Sequence, residues 1–296
     1  MEWNYEIGKA AVKRMQERAS CRVFSEKPIP EESLKEILKA GLRAASGGNL
    51  QPYSIIVVKD KNKRKQLAKL CANQQFMGKA PVNLIFILDF YKLSRLAKLQ
   101  KAPFTANKSY LHFLIGMEDI VCTAQVIETA AWQMGIGSVY IGTVNNVGKE
   151  ISEILNLPRY TYPVLALALG YPKNELPLRE RLPFEMTVFE ERYPELSDED
   201  ILNGFAAKYG NKTRQLPNSK SAQKEWMTSL KEALLTSYTE EEVEKIIAEV
   251  EKQGSLKYLQ YVFGLHYHAK KMLDYSEEVL KMMKNRGLEP FFVLEK

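Results

Sequence analysis

The stretch that decides the fold is Gly135-Ile136-Gly137-Ser138-Val139-Tyr140-Ile141-Gly142, with Asn145 and Asn146 close behind. Its glycines superficially resemble a dinucleotide-binding loop. Such a fingerprint, however, sets its glycines between a strand and the helix that follows it. Between Tyr110 and Met134, apolar residues occupy most sides of a 3.6-residue period (Ile115, Met117, Ile120, Val121, Ala124, Ile127, Ala130, Ala131), which predicts a long, centrally buried helix. Gly135 stops that helix, and Val139-Tyr140-Ile141 predicts a strand. The glycines therefore follow a helix and precede a strand, which excludes the dinucleotide reading. A glycine just after a strand instead exposes backbone N–H groups to a flat ring stacked on the strand end.

Working outward, Ser54–Val58, Val82–Leu88 and Tyr162–Leu169 are further apolar runs that predict buried strands, the last closed by Gly170. Residues 4–18 and 33–45 have amphipathic helical spacing, through Ile7, Ala11 and Met15 in the first and Leu34, Ile37, Leu38 and Leu42 in the second. Helices are also expected over about 62–70 and 147–155. Pro28 and Pro30 impose an extended connection between the first two helices. Prolines 172, 177, 183, 194 and 217 break the following segment into short elements, the clearest a helix near 198–209. Thr239-Glu240-Glu241-Glu242 is a capping-box pattern opening a helix to about Gln253, and Leu256 to Arg286 is expected to continue as helix. These breaks suggest a core over 1–172, an excursion over that core at 173–216 and a helical extension at 217–296.

With 296 residues, 45% hydrophobic, the chain can fill a sizeable core. No charge-free apolar run reaches the roughly 20 residues of a membrane span. The N-terminus mixes charges with apolar residues and lacks a secretory signal, so a cytoplasmic location without membrane attachment is expected. Three scattered cysteines, Cys21, Cys71 and Cys122, form neither a disulfide framework nor a zinc motif. The net charge of +6 favours anionic ligands, yet the basic residues are dispersed, which argues against a nucleic-acid partner. The densest basic run, Lys59–Lys69, reads as a solvated face. His266 and His268 lie two apart on the expected helix and share no face, so no metal site is expected.

Two further motifs carry chemistry. In Arg18-Ala19-Ser20-Cys21-Arg22, two guanidiniums and a hydroxyl recur every second residue and would line one face of an extended chain. They could clamp a phosphate, or simply form a wet strand. In Ser46-Gly47-Gly48-Asn49-Leu50-Gln51-Pro52-Tyr53, the glycines allow a tight loop, while Asn49 and Gln51 offer both donors and acceptors. That combination complements the carbonyls and ring nitrogens of a flavin pyrimidine, or belongs to an ordinary turn.

Together with Leu157-Pro158 and Leu169-Gly170-Tyr171-Pro172, these segments resemble the nitroreductase superfamily over residues 5–183, most of all its NADPH-dependent flavin reductase and oxygen-insensitive nitroreductase branch. The resemblance implies an α+β fold: a central, mostly antiparallel sheet flanked by helices, a long central helix and a homodimer with FMN at the subunit interface. It implies that Arg18, Ser20 and Arg22 hold the flavin phosphate and ribityl chain, and that Ser46, Asn49 and Gln51 face the ring. Gln74 matches a position near the flavin, and Tyr140, Ile141, Gly142 and Thr143 would lie beside it. Arg179 and Arg181 would return to the phosphate. Ala19 stands where this branch usually has a second arginine, and the helical tail is longer than the branch's usual ending. Lys208, Lys212 and Arg214 are candidates for the 2′-phosphate of NADPH.

The implied activity moves electrons from NADPH or NADH through FMN to a small acceptor, such as a nitroaromatic, a quinone or a free flavin. It is a ping-pong cycle needing no side-chain acid or base. A flavin-binding storage, sensor or partner-docking protein with little turnover is the alternative.

Overall fold

The structure, a computed structural model, describes residues 4–210 and 212–290. It divides into two units, Met1–Leu178 with Glu278–Lys296, and Arg179–Glu277. In the first unit four strands, β1 (Tyr53–Val58), β2 (Val82–Asp89), β3 (Gly137–Ile141) and β4 (Thr161–Gly170), form one sheet in the order β1-β2-β4-β3. All three strand pairs are antiparallel, as expected. Its helices are α1 (Tyr5–Gln16), α2 (Glu31–Gly41), α3 (Lys61–Leu70), α4 (Gln75–Lys79), α5 (Tyr91–Leu99), α6 (Tyr110–Gln133) and α7 (Gly148–Ile154).

Strand alternation explains the layers. Leu84, Phe86 and Leu88 of β2 point into a cluster shared with Ile37 of α2 and Ile120, Ala124 and Ile127 of α6. Ile85 and Ile87 point the other way, into a cluster with Leu67 of α3 and Ile151 of α7. A strand covered on both faces reads as an unbroken apolar run. Gly41 lets α2 approach α6 closely, since a Cβ there would lie 2.2 Å from Ile127 Cγ1. Gly135, at φ 76°, ends α6 as its position predicts. By length and composition α6 could cross a membrane, but its buried Asp119 and Glu128 and its packing on α2 and the sheet are those of a core helix.

The first helix departs from expectation: α1 buries no residue, and Ile7 and Met15 of its apolar stripe are exposed.

The second unit holds α8 (Asp198–Tyr209), β5 (Thr213–Gln215), α9 (Lys220–Leu234), α10 (Glu240–Gln253) and β6 (Ser255–Lys257). The capping box of α10 forms as its sequence predicts, with Thr239 N donating to Glu242 Oε2 at 2.9 Å. The uninterrupted helix expected over Leu256–Arg286 does not form. β6 pairs with β5, then α11 (Tyr258–Tyr261) and a π-turn (Val262–His266) lead to α12 (Ala269–Asn285). Strand pairing with residues some forty positions earlier takes Leu256 and Lys257 out of the helix, and the π-turn with residues 267–268 interrupts it again before α12. The break also separates the two histidines, and His268 is buried with Nε2 3.0 Å from the Ser229 carbonyl.

The segment after α12 is locked into the first unit. Arg286 Nε donates to Thr161 O at 2.7 Å, and its Nη2 donates to Leu157 O and Pro158 O at 2.8 and 2.6 Å. Met283 and Leu288 enter the core beside it. Arg286→Ala is expected to lower stability by about 2–3 kcal/mol, the range for charge-assisted bonds whose partners stay behind. The midpoint of denaturant unfolding reads this; an unchanged midpoint would refute the anchoring role.

Candidate active site

The sequence motifs around the sheet are assembled by hydrogen bonds to one helix. Ser20 bridges to Ser138 of β3, and Cys21 N donates to Ser138 O at 2.8 Å, so the Arg18–Arg22 motif meets the strand of the deciding stretch. Glu128 of α6, 1% exposed, fixes that junction. Its Oε1 accepts from Arg18 Nε at 2.6 Å and Ser138 Oγ at 3.0 Å, and its Oε2 accepts from Gln125 Nε2 at 2.7 Å. A buried carboxylate requires such partners, because desolvation of an unpaired charge costs several kcal/mol. Arg18 is thus oriented, with its Nη1 3.5 Å from Ser20 Oγ.

At the end of β3, Gly142 is exposed, and a Cβ placed on it would meet nothing within 4 Å. Gln74, which precedes α4, donates from Nε2 to Thr143 Oγ1 at 2.8 Å and so reaches the same strand end. Arg22 lies 6.0 Å from the ring of Phe76 on α4. Arg18, Ser20, Arg22, Gln74 and the Tyr140–Thr143 strand end therefore form one neighbourhood. It joins guanidiniums, a hydroxyl and an amide to open space beside a strand end.

Ser46–Gln51 is held elsewhere. Asp119 of α6, 3% exposed, accepts from Ser46 Oγ at 2.6 Å and from Gly47 N at 2.9 Å, while Ser46 Oγ accepts from Gln51 N at 3.0 Å. Gly48, Asn49 and Gln51 all adopt left-handed backbone, at φ 55°, 56° and 51°. Such backbone is costly for Gln, and a loop that keeps it must be tied down from outside. Asp119 is that tie. Asp119 and Glu128 are nine residues apart on α6, which places them about 13 Å apart along the axis and half a turn around it. Within one chain the Ser46–Gln51 loop and the Arg18–β3 group thus sit on opposite sides of α6.

Arg179 and Arg181 are exposed at the start of the second unit. Arg214 lies 5.9 Å and 5.4 Å from the rings of Trp226 and Tyr261, and Lys208 lies 4.7 Å from the ring of Tyr209.

The structural roles of Asp119 and Glu128 escape a motif search. Their signal is burial: a carboxylate inside a 24-residue helix that is otherwise largely apolar must be bonded to something. Two of the cysteines are buried beside this neighbourhood. Burial pushes the Cys71 thiol up to about 11 against a hydrogen bond involving Thr143, and burial raises Cys21 as well. Burial, reinforced by Glu128, also pushes the Tyr140 phenol up, keeping it protonated. Among the described residues no three His, Cys, Asp or Glu side chains converge as a metal site.

Glu128→Gln would leave Arg18 without its counter-charge and turn an amide donor toward Gln125. The expected loss is about 2–3 kcal/mol, below the 3–5 kcal/mol of a fully buried pair because the Arg18 side chain is 22% exposed. A double-mutant cycle with Arg18→Gln, read by denaturant unfolding, is expected to give a clearly non-additive pair; additive losses would dissolve the proposed coupling.

Comparison with known proteins agrees with the fold. The sequence profile described as "Nitroreductase family" matches residues 15–171. The chain is 35% identical over 182 residues to the NADPH-flavin oxidoreductase of Vibrio harveyi, covering 62% of this chain and 74% of that one. It is 29% identical over 248 residues to the FMN reductase [NAD(P)H] of Bacillus subtilis (strain 168), covering 81% and 98%. Among solved structures, B. megaterium NfrA2 superposes with a TM-score of 0.69 at 25% identity, covering 94% of this chain and 98% of that one. The NADPH:FMN oxidoreductase from Vibrio harveyi complexed with NAD+ superposes with a TM-score of 0.62 at 29% identity, covering 82% and 97%. With the family profile spanning more than half of its length, and with the fold built around α6 as described, the chain belongs to the nitroreductase family.

Proposed function

We propose that this protein is an FMN-dependent oxidoreductase that moves electrons from NADPH or NADH to small acceptors such as nitroaromatics, quinones or free flavins. The observation that carries the reading is the pair of groups anchored by α6: guanidiniums and a hydroxyl beside an open strand end on one side, and a strained amide-bearing loop on the other. The donor set fits the cofactor. Arg18, Ser20 and Arg22 would hold the phosphate and ribityl chain. Asn49, Gln51 and Gln74 would bond the ring, and Tyr140–Thr143 would flank it. Ser46 would act chiefly through the loop, since its hydroxyl is already bonded to Asp119 and Gln51.

When bound, FMN supplies the hydride and electron chemistry. The chain's own contribution is to position the ring, to stabilise negative charge on it through amide donors, and to leave one face open.

The assembly is a homodimer in this reading, because the two groups lie on opposite sides of α6. The loop of one copy would then complete the Arg18–β3 group of the other. Exposed apolar side chains support it: Val12 on α1, Leu111 and Val121 on α6, and Leu42 and Leu50 beside the loop. A cytoplasmic location accords with three cysteines that are all free thiols.

Leucine at positions 49 and 51 would be uninformative, since a branched apolar residue resists the left-handed backbone. Asn49→Asp with Gln51→Glu changes the donors and largely preserves shape. Chains carrying that pair, and separate chains carrying Arg22→Glu, are each expected to lose FMN affinity by about tenfold or more, about 1.4 kcal/mol. Co-expressing the two would create mixed dimers in which one site escapes both defects, so flavin binding and NADPH oxidation return. Mixed dimers no better than their parents would mean that each site is built within a single chain.

A further inference from the structure

The basic run over Lys59–Lys69 reads in the sequence as a solvated face, yet the fold turns part of it toward a groove. In the first unit a groove of about 910 Å3 is lined by Arg22, Lys61, Arg64, Lys65, Lys79 and Lys173, drawn from four separated segments. The single carboxylate on its wall is Glu26. None of the six cations enters an ion pair among the described residues.

Arg64 is fixed in this wall. Its Nη1 donates to Gly78 O at 3.1 Å and to Ala80 O, and its Nε donates to Lys59 O at 3.1 Å. These carbonyls satisfy its donors without neutralising its charge, and burial lowers its pKa accordingly. Like charges gathered in a concavity repel one another and focus a positive potential, which an anion relieves. One further wall element is apolar and flat: Phe76, half-buried on α4, with the Arg22 guanidinium 6.0 Å from its ring. The volume suits a nucleotide-sized ligand, within the usual range of about 300–1,000 Å3.

We propose that this groove binds an adenosine diphosphate group, with its phosphates among the lysines and its base against Phe76. A single phosphate would leave most of the cations uncompensated, whereas a diphosphate spans several of them. That group is common to a nicotinamide dinucleotide donor and to flavin adenine dinucleotide. Arg22 also belongs to the proposed FMN cradle, so the inference concerns a subsite beyond the flavin phosphate and is tested with that cradle filled.

FMN-saturated full-length protein would be titrated with ADP by calorimetry at low salt. The titration would be repeated with a Lys61→Gln/Lys65→Gln/Lys173→Gln variant and with Glu26→Gln. Binding of ADP is expected, weakened tenfold or more in the triple variant, tightened two- to threefold by Glu26→Gln, and reduced as salt screens the groove. FMN content should be unchanged in all three proteins, which separates this inference from the flavin reading. Failure of ADP to bind, equal affinity in the triple variant, or AMP binding as tightly as ADP would each overturn the proposal. Where ADP binds as expected, a raised KM for NADPH in the triple variant assigns the subsite to the electron donor, and a selective loss of FAD affinity assigns it to a flavin dinucleotide.

Discussion

Two carboxylates buried in a largely apolar helix organise the first unit. Asp119 and Glu128 cannot sit unpaired in the interior, so each gathers polar groups from distant parts of the chain: Ser46 and Gly47 for one, Arg18 and Ser138 for the other. Those groups belong to the motifs whose chemistry suggests a flavin. The bonds that satisfy the buried charge therefore also hold the groups proposed to receive the cofactor. Because the two acids point to opposite sides of α6, it also follows that neither group stands near the other within one chain.

The sheet supplies the rigidity behind this arrangement. β2 lies between β1 and β4 and is covered by side chains on both faces, so the strand end at Gly142 and the junction at Ser138 are held against a core. The Arg286 cluster closes that core from the C-terminal side, through the carbonyls of Leu157, Pro158 and Thr161 at the start of β4. The second unit has its own smaller core of Leu216, Leu230, Val250 and Leu256.

Much of this was legible in the residues. The four strands, the long helix, its glycine stop and the capping box at Thr239 each depend on local pattern, and each formed where pattern placed it. The strand that opens the tail was not legible, because the pairing of β6 with β5 is a non-local contact that periodicity over Leu256–Arg286 does not encode. Nor was the exposure of α1 visible, since an amphipathic pattern states that a face is apolar and not what covers it. For the candidate site, residue types suggested phosphate and flavin contacts. The ties made by Asp119 and Glu128, and the left-handed backbone of Asn49 and Gln51, required coordinates.

In the proposed function the flavin performs the chemistry and the side chains would only position it. The most direct measurement is the visible spectrum of the purified protein, reconstituted with FMN if necessary and mixed anaerobically with NADPH or NADH. Bleaching of a bound-flavin spectrum, followed by recovery of the colour on adding a quinone or nitroaromatic, is the predicted result. Flavin that stays oxidised with both donors, or a chain that retains no FMN after reconstitution, would contradict it.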